Sequence, residues 1–474
     1  MDLAIQNTTL LTMAGDGLGI VDDGTIAFDG SEIAYVGPAD DFDGEPDRRI
    51  DGGDLVTMPG LVDAHRHTTH TLLRGGAQDL PEIEWMTDGL GPISRHADEA
   101  DRIVGARLGG IEGLLSGVTT VCEYAGDVGN LVESVYRPLG VRVVATETIN
   151  AVVDDREERG PREPYAFDRE KGEAALERAE SLFDRYDDEP LVTPAYGPQA
   201  LDMVPRDLLE TVEERAHEYD RDVHVHVAQG RRERLQVQAR YGEDASTVDV
   251  LDEIGLLSDR LVAVHCHDAT DEERARIADS GARFVGCPSS IGAIDGVVPP
   301  VAEFLDRGAP TALGTDQAPG PGGHDFLREL RTAAMLAKTD AGDPTALPAW
   351  RGLDVGTAGG ARALGLADRI GTLEEGKAAD VITIDASHSS IAPVVSEPFH
   401  TAVPNLVYSA NRGAVRDVFV AGKRVVEDGE VQGLDEESVV EEAQERAETV
   451  FREAADDWRS AGSELVDAAD KGWL

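Results

Sequence analysis

Short apolar runs alternate with longer amphipathic stretches through most of the chain. The runs are Leu61–Ala64, Thr119–Cys122, Val141–Ala145, Leu191–Ala195, Val223–Val227, Leu261–Val264, Phe284–Cys287 and Thr311–Gly314. Each is too short for a helix and bounded by polar or turn residues, as expected for strands buried on both faces. Helical patterns such as Arg206–Tyr219 and Asp271–Ser280 lie between them. Eight strands alternating with helices predict an α/β protein built on a parallel (β/α)8 TIM barrel.

The two ends of the chain read differently. Thr25–Phe28 and Ile33–Val36 flank Asp29-Gly30, the pattern of a hairpin with a D-G turn. Strand patterns return late, at Asp380–Ile384, Val415–Val420 and Lys423–Val426. Neither end alone supplies enough strands for a stable sheet. We therefore expect a small composite β-sandwich domain formed by residues 1–57 plus 371–432. Residues 58–370 would form the barrel, and 433–474 an acidic, solvated helical region.

Composition narrows the function. The chain has 474 residues, 41% hydrophobic, enough for a barrel and a smaller domain. Its formal charge is −49, which argues against nucleic acid or an anionic membrane as partner, since both are polyanions. Lysine occurs only at 171, 338, 377, 423 and 471. Such self-repulsion opposes compaction unless salt screens it, so we expect a salt-requiring protein. The screening length is about 3 Å at 1 M salt. Three cysteines, Cys122, Cys266 and Cys287, make no disulfide framework and suit a reducing cytoplasm. The stretch MDLAIQNTTLLTMAGDG lacks a basic segment followed by an apolar one, and no apolar run is long enough to span a membrane. A cytoplasmic location is the expectation.

Metal-binding residue types stand at the ends of the apolar runs. His65 and His67 end the first, His226 the fifth, His265 the sixth and Asp316 the eighth. In a barrel the C-terminal strand ends converge on one face, so residues far apart in sequence can meet there. Alternation points His65 and His67 the same way. Three imidazoles and a carboxylate suit one divalent metal ion, zinc first, with iron or manganese as alternatives. His224 shares a face with His226 one layer deeper and reads as a core histidine. His267 and His324 read as loop residues without a role.

The stretch PGLVDAHRH resembles the signature of the amidohydrolase superfamily. TLLRGGAQDLPEIEWM resembles its branch of adenosine-type deaminases and triazine chlorohydrolases. EGLLSGVTTVCEY, VHVHVAQ, VAVHCHD, CPSS, ALGTD, GARALGL, IGTLEEGKAADVITID and NLVYSANRGAVRDVFVAGKRVVEDG follow in order, so the resemblance runs from residue 2 to about 432. It implies that His65, His67, His226 and Asp316 hold the metal. It also implies that His265 polarises the substrate and orients the attacking water, with Asp316 accepting the water's proton. Homodimers are common in that branch, and the partner is a small-molecule substrate.

The chain departs from this pattern where substrate would sit. Deaminases of the branch carry a glutamate three residues after the third metal histidine, where this chain has Gln229. A histidine after Gly-Pro is replaced by Gln199, a ribose-binding glutamate after Pro-Ile by Ser94, and an asparagine after CPxS by Ile291. An amide cannot exchange a proton near neutral pH. His70 can protonate a leaving group or simply face solvent. Arg74 can bind an anionic substrate group or make a structural salt bridge. Cys287 reads as a buried strand residue rather than a nucleophile. The expected function is metal-dependent hydrolysis of a non-peptide C–N, or a C–Cl, bond in a small cyclic or amidine-like substrate. The alternatives are a deaminase with a non-standard proton shuttle, and a metal-binding pseudoenzyme or ligand-binding protein.

Overall fold

A computed structural model describes residues 1–153 and 159–474. The first sheet begins with β1 (Leu3–Leu11), β2 (Ile20–Asp29), β3 (Glu32–Pro38), β4 (Arg48–Asp51) and β5 (Leu55–Pro59). The barrel follows with β6 (Leu61–Arg66), β7 (Val118–Ala125), β8 (Arg142–Ile149) and β9 (Val192–Pro198). Its second half is β10 (Val223–Val227), β11 (Leu261–His265), β12 (Arg283–Gly286) and β13 (Thr311–Leu313). The chain then returns to the first sheet with β14 (Val381–Asp385), β15 (Val415–Val420), β16 (Lys423–Glu427) and β17 (Glu430–Val431).

The eight strands from β6 to β13 lie in sequence order and pair in parallel throughout. Each coincides with one of the apolar runs, four of which extend one residue beyond their strand. Strands β7 and β8 outlast their runs because polar residues continue them while buried and satisfied. Glu123 accepts from Thr68 N–H at 3.0 Å, and Glu147 from Asp127 and Val128 N–H at 3.0 and 2.9 Å. Two of the surrounding helices are capped as their sequences specify. Asp98 and Thr270 each form a capping box with the residue three positions on.

Closure of the barrel falls at the mouth. Arg66 and Asp316 form a parallel bridge between the end of β6 and the segment after β13. Asp316 N–H donates to the His65 carbonyl at 3.0 Å, and His67 N–H donates to the Asp316 carbonyl at 2.8 Å. Gly314 permits this approach, since a Cβ there would stand 2.6 Å from the His65 carbonyl oxygen.

The other sheet has nine strands, ordered β17-β16-β15-β14-β5-β1-β2-β3, with β4 on β1. Its two contributions meet where β14 runs antiparallel to β5, Val381 opposite Pro59 and Asp385 opposite Leu55. The sheet curls over on itself. Phe28 on β2 and Phe419 on β15 meet edge to face at 5.4 Å, although β1, β5 and β14 separate their strands in the sheet order. Leu3, Ile5, Ile26 and Val381 fill the same small core.

After the sheet comes helix Glu436–Glu453, with an acidic outer face. Its inner edge is not solvated. Val439, Ala443 and Val450 are buried, and Ala443 and Val450 join Leu72, Leu73 and Trp85 in one apolar cluster near the barrel mouth. Among the described residues no helix is long and apolar enough to cross a membrane.

Candidate active site

The strand-end residues converge. His65 Nε2 and His67 Nε2 lie 3.7 and 3.5 Å from Asp316 Oδ1, and His226 Nε2 lies 3.4 Å from His67 Nε2. His65 Nε2 and Asp316 Oδ1 are buried and have no hydrogen-bond partner among the described residues. Unsatisfied, buried donor atoms facing one point are what a cation would satisfy. Ligands about 2.0–2.1 Å from a tetrahedral ion are about 3.3 Å apart, close to the spacing found. The residues therefore fit a divalent metal.

Each ring is held by its other nitrogen. His67 Nδ1 donates to the Tyr124 carbonyl at 2.8 Å, and His226 Nδ1 to the Gln199 carbonyl at 2.7 Å. These bonds set the tautomer and leave Nε2 as a lone-pair donor. His65 Nδ1 lies 3.1 Å from His224 Nε2, whose Nδ1 lies 3.4 Å from Cys122 Sγ. His224 is thus buried as expected and also fixes the His65 ring. Ser290 Oγ donates to Asp316 Oδ2 at 2.5 Å, leaving Oδ1 to the centre.

Burial governs the protonation of this group. It lowers the His67 imidazole to about 4 and holds His65, His226 and His265 well below their ordinary value. All four rings are therefore neutral at pH 7, the form that binds metal. Burial also pushes the Asp316 carboxyl up to about 7, opposed by the Ser290 hydrogen bond. The Cys287 thiol lies close to His265 and Asp316, but burial raises its pKa well above the usual range, so it stays protonated.

The backbone is strained here. Ala228, His265, Cys266 and Asp316 all have positive φ, from 44° to 75°. Non-glycine residues in that region cost about 1–3 kcal/mol each and gather at functional sites. The turns follow the ends of β10, β11 and β13, where the chain must bend sharply to aim side chains across the mouth.

Above the centre lies a cavity of about 170 Å³, suited to a small molecule rather than a polymer. His70, Gln199, Gln229, Gln317 and Glu82 give it polar walls, and Trp85, Leu90, Met203, Ile291 and Ile294 apolar ones. His265 lines it beside His226, ring centres 5.3 Å apart. His70 Nδ1 hydrogen-bonds Gln317 Oε1 at 3.1 Å. Gln199 Oε1 accepts from Asn150 Nδ2 at 2.7 Å. Gln229 N–H donates to Glu233 at 2.8 Å, while its own Nε2 is buried without a partner among the described residues.

Arg74 does not join this group. It is outside the cavity lining, 39% exposed, and ion-paired with Glu112. Of its two expected roles, the structure has the salt bridge. His324 and His267 also differ from simple loop residues. His324 is fully buried, bridging Thr315 at 2.9 Å and Thr71 at 3.1 Å. The His267 imidazole is buried, with Nε2 3.6 Å from Asp295. Sequence reasoning missed Glu82, Ser290 and Tyr124. The latter two lie within CPSS and VCEY, but hydrogen bonds to a ligand leave no periodic trace.

Residues 56–425 match the amidohydrolase family model. The chain is 33% identical to the 5-methylthioadenosine/S-adenosylhomocysteine deaminase of Pelotomaculum thermopropionicum, over 94% of this chain and 98% of that one. It is 31% identical to the 5'-deoxyadenosine deaminase of Methanosarcina mazei, over 94% and 98%. Among solved structures, an adenosine deaminase from Xanthomonas campestris with bound zinc superposes with a TM-score of 0.86 at 31% identity, covering 95% of this chain and 99% of that one. The zinc-bound atrazine chlorohydrolase of Arthrobacter aurescens shares the fold, with a TM-score of 0.81 at 24% identity over 94% and 100%.

Proposed function

The chain belongs to the amidohydrolase family, and from that premise we propose that it is an aminohydrolase, removing an amino group from a purine or similar nitrogen heterocycle. The observation that carries the reading is the convergence of His67, His226, Asp316 and His265 at the floor of one small cavity, with His65 buried against Asp316. The relatives act on amino-substituted purine derivatives, as their names state.

His65, His67, His226 and Asp316 would hold one divalent ion, which we take to be zinc from the nitrogen-rich donor set and the zinc named in related structures. Such an ion supplies an activated water near neutral pH. Asp316 would accept a proton from the attacking water. His265 donates a hydrogen bond to negative charge developing on the attacked group. Gln229 and Gln199 stand at the wall to hold ring nitrogens or carbonyls, and His70 stands at the mouth. The apolar residues Trp85, Leu90 and Ile291 sandwich a ring and exclude water.

One observation favours a second reading. Gln229 cannot carry a proton, and chloride needs none to leave, so hydrolysis of a chloro-substituted heterocycle suits it. A zinc-loaded preparation assayed in molar salt separates the two. Ammonia release from amino-purines supports the first; chloride release alone supports the second.

The wider setting follows from the surface. We place the protein in a salt-rich reducing cytoplasm, on its charge of −49 and its three buried, free thiols. A homodimer fits exposed apolar residues such as Trp350 (60%) and Met335 (49%), which sit on helices that touch each other.

A further inference from the structure

Gln229 occupies the place of a proton carrier and cannot act as one. The next residue, Gly230, is shaped around a carboxylate from elsewhere. Its φ is +137°, and a Cβ there would stand 2.8 Å from Glu82 Oε2 and 2.9 Å from Glu82 Cδ. Any other residue would displace that side chain.

Glu82 opens the helical turn Glu82–Glu84, 150 positions before Arg232. It reaches across to the first turn of helix Arg231–Tyr241, where Arg232 N–H lies 3.2 Å from Oε2 and 3.3 Å from Oε1. The Arg232 guanidinium is 3.7 Å away but is also paired with buried Asp202. Glu82 therefore shares that positive charge with a second carboxylate. Burial, with Asp295 adding to it, raises the Glu82 pKa despite Arg232 and His267. Glu82 lines the same cavity as His226, Gln229, His265 and Asp316.

We propose that Glu82 is a catalytic residue that delivers the proton Gln229 cannot, from the space left by Gly230. The proposal rests on the aminohydrolase reading. In that reaction an N=C–NH2 group and water become HN–C=O and ammonia. The water oxygen bonds to carbon and the C–N bond breaks. Glu82 gives its proton to the leaving nitrogen. One water hydrogen goes to the ring nitrogen, and the other, taken up first by Asp316, is passed on to restore the Glu82 carboxyl, so both carboxyl groups are unchanged over a turnover.

The test compares two leaving groups on the intact, zinc-loaded chain, using 5′-methylthioadenosine for ammonia and 6-chloropurine riboside for chloride. Glu82→Gln keeps the shape and the acceptor for Arg232. It is expected to lower ammonia release by about 100-fold or more, the low end of general acid–base effects. Chloride release should change less than about tenfold, because chloride leaves without a proton. Zinc content should not change. Glu82→Asp, which keeps the acid and withdraws it by one methylene, should show a smaller loss with the same selectivity. Adding Gln229→Glu should raise ammonia release far more in Glu82→Gln than in the parent, which a purely structural role for Glu82 would not allow. Glu84→Gln, in the same turn but exposed, should match the parent. Equal losses for both leaving groups, or no loss, would overturn the proposal alone. A parent releasing chloride but no ammonia would overturn it together with the aminohydrolase reading.

Discussion

His65 and Asp316 lie on opposite sides of the barrel seam, and one hydrogen bond joins their backbones, Asp316 N–H to the His65 carbonyl at 3.0 Å. Their side chains stand 3.7 Å apart. Closing the barrel and assembling the candidate metal centre are therefore one structural event. Anything that opens the seam should separate the donor atoms.

Gly314→Ala tests this coupling. Its Cβ would press within 2.6 Å of the His65 carbonyl oxygen and 2.8 Å of the His65 Cβ. Overpacking of this kind typically costs about 1–3 kcal/mol. We expect a lower melting temperature and weaker zinc binding together. Thermal unfolding with and without zinc checks it, and a variant that binds zinc as tightly as the parent would show the seam and the centre to be independent.

His224→Ala should act on the metal without touching it. His224 holds His65 through a 3.1 Å contact and is backed by Cys122. Loss of such a supporting partner typically weakens metal affinity about 10–100-fold. Competition with a chelator measures the change, with the fold monitored by circular dichroism. Unaltered affinity would mean that packing alone orients His65.

Much of this arrangement is legible in the sequence because its signals are local. Parallel strands buried on both faces read as unbroken apolar runs, and His65, His67, His226, His265 and Asp316 stand at their ends. What depends on distant pieces is not legible. Glu82 matters only because Gly230, far along the chain, leaves space for it. His324 follows a loop-like stretch yet is buried between Thr315 and Thr71. Arg74 resembles an anion binder until the position of Glu112 is known.

Salt should control stability. The formal charge of −49 is screened over about 3 Å at 1 M salt but only over about 10 Å at 0.1 M. The melting temperature should fall by several degrees or more between those conditions. A flat or rising profile would mean that the exposed arginine–carboxylate pairs, such as Arg206 with Glu210 and Glu253, neutralise the surface on their own.

Gln229→Glu in the parent is nearly isosteric and puts a carboxyl back beside the cavity. Proton carriers of this kind contribute about 10²–10⁴-fold. Since Glu82 already serves in part, the expected gain in kcat/KM for ammonia release is smaller, about tenfold, and exceeds any gain for chloride release. Steady-state kinetics at matched zinc content decides it. A loss for ammonia release would show that the amide of Gln229 is itself needed to hold substrate.

The most direct test of the central claim is the zinc content of the parent and of His226→Ala after exhaustive dialysis in molar salt. His226 offers Nε2 to the centre while its Nδ1 is held at 2.7 Å by the Gln199 carbonyl. The account predicts about one zinc per chain in the parent, since the four side chains offer their donor atoms to a single ion. It predicts that most of that zinc is lost in the variant while the fold persists. Full retention of zinc by a folded His226→Ala, or a parent that binds none, would contradict the assignment of the centre.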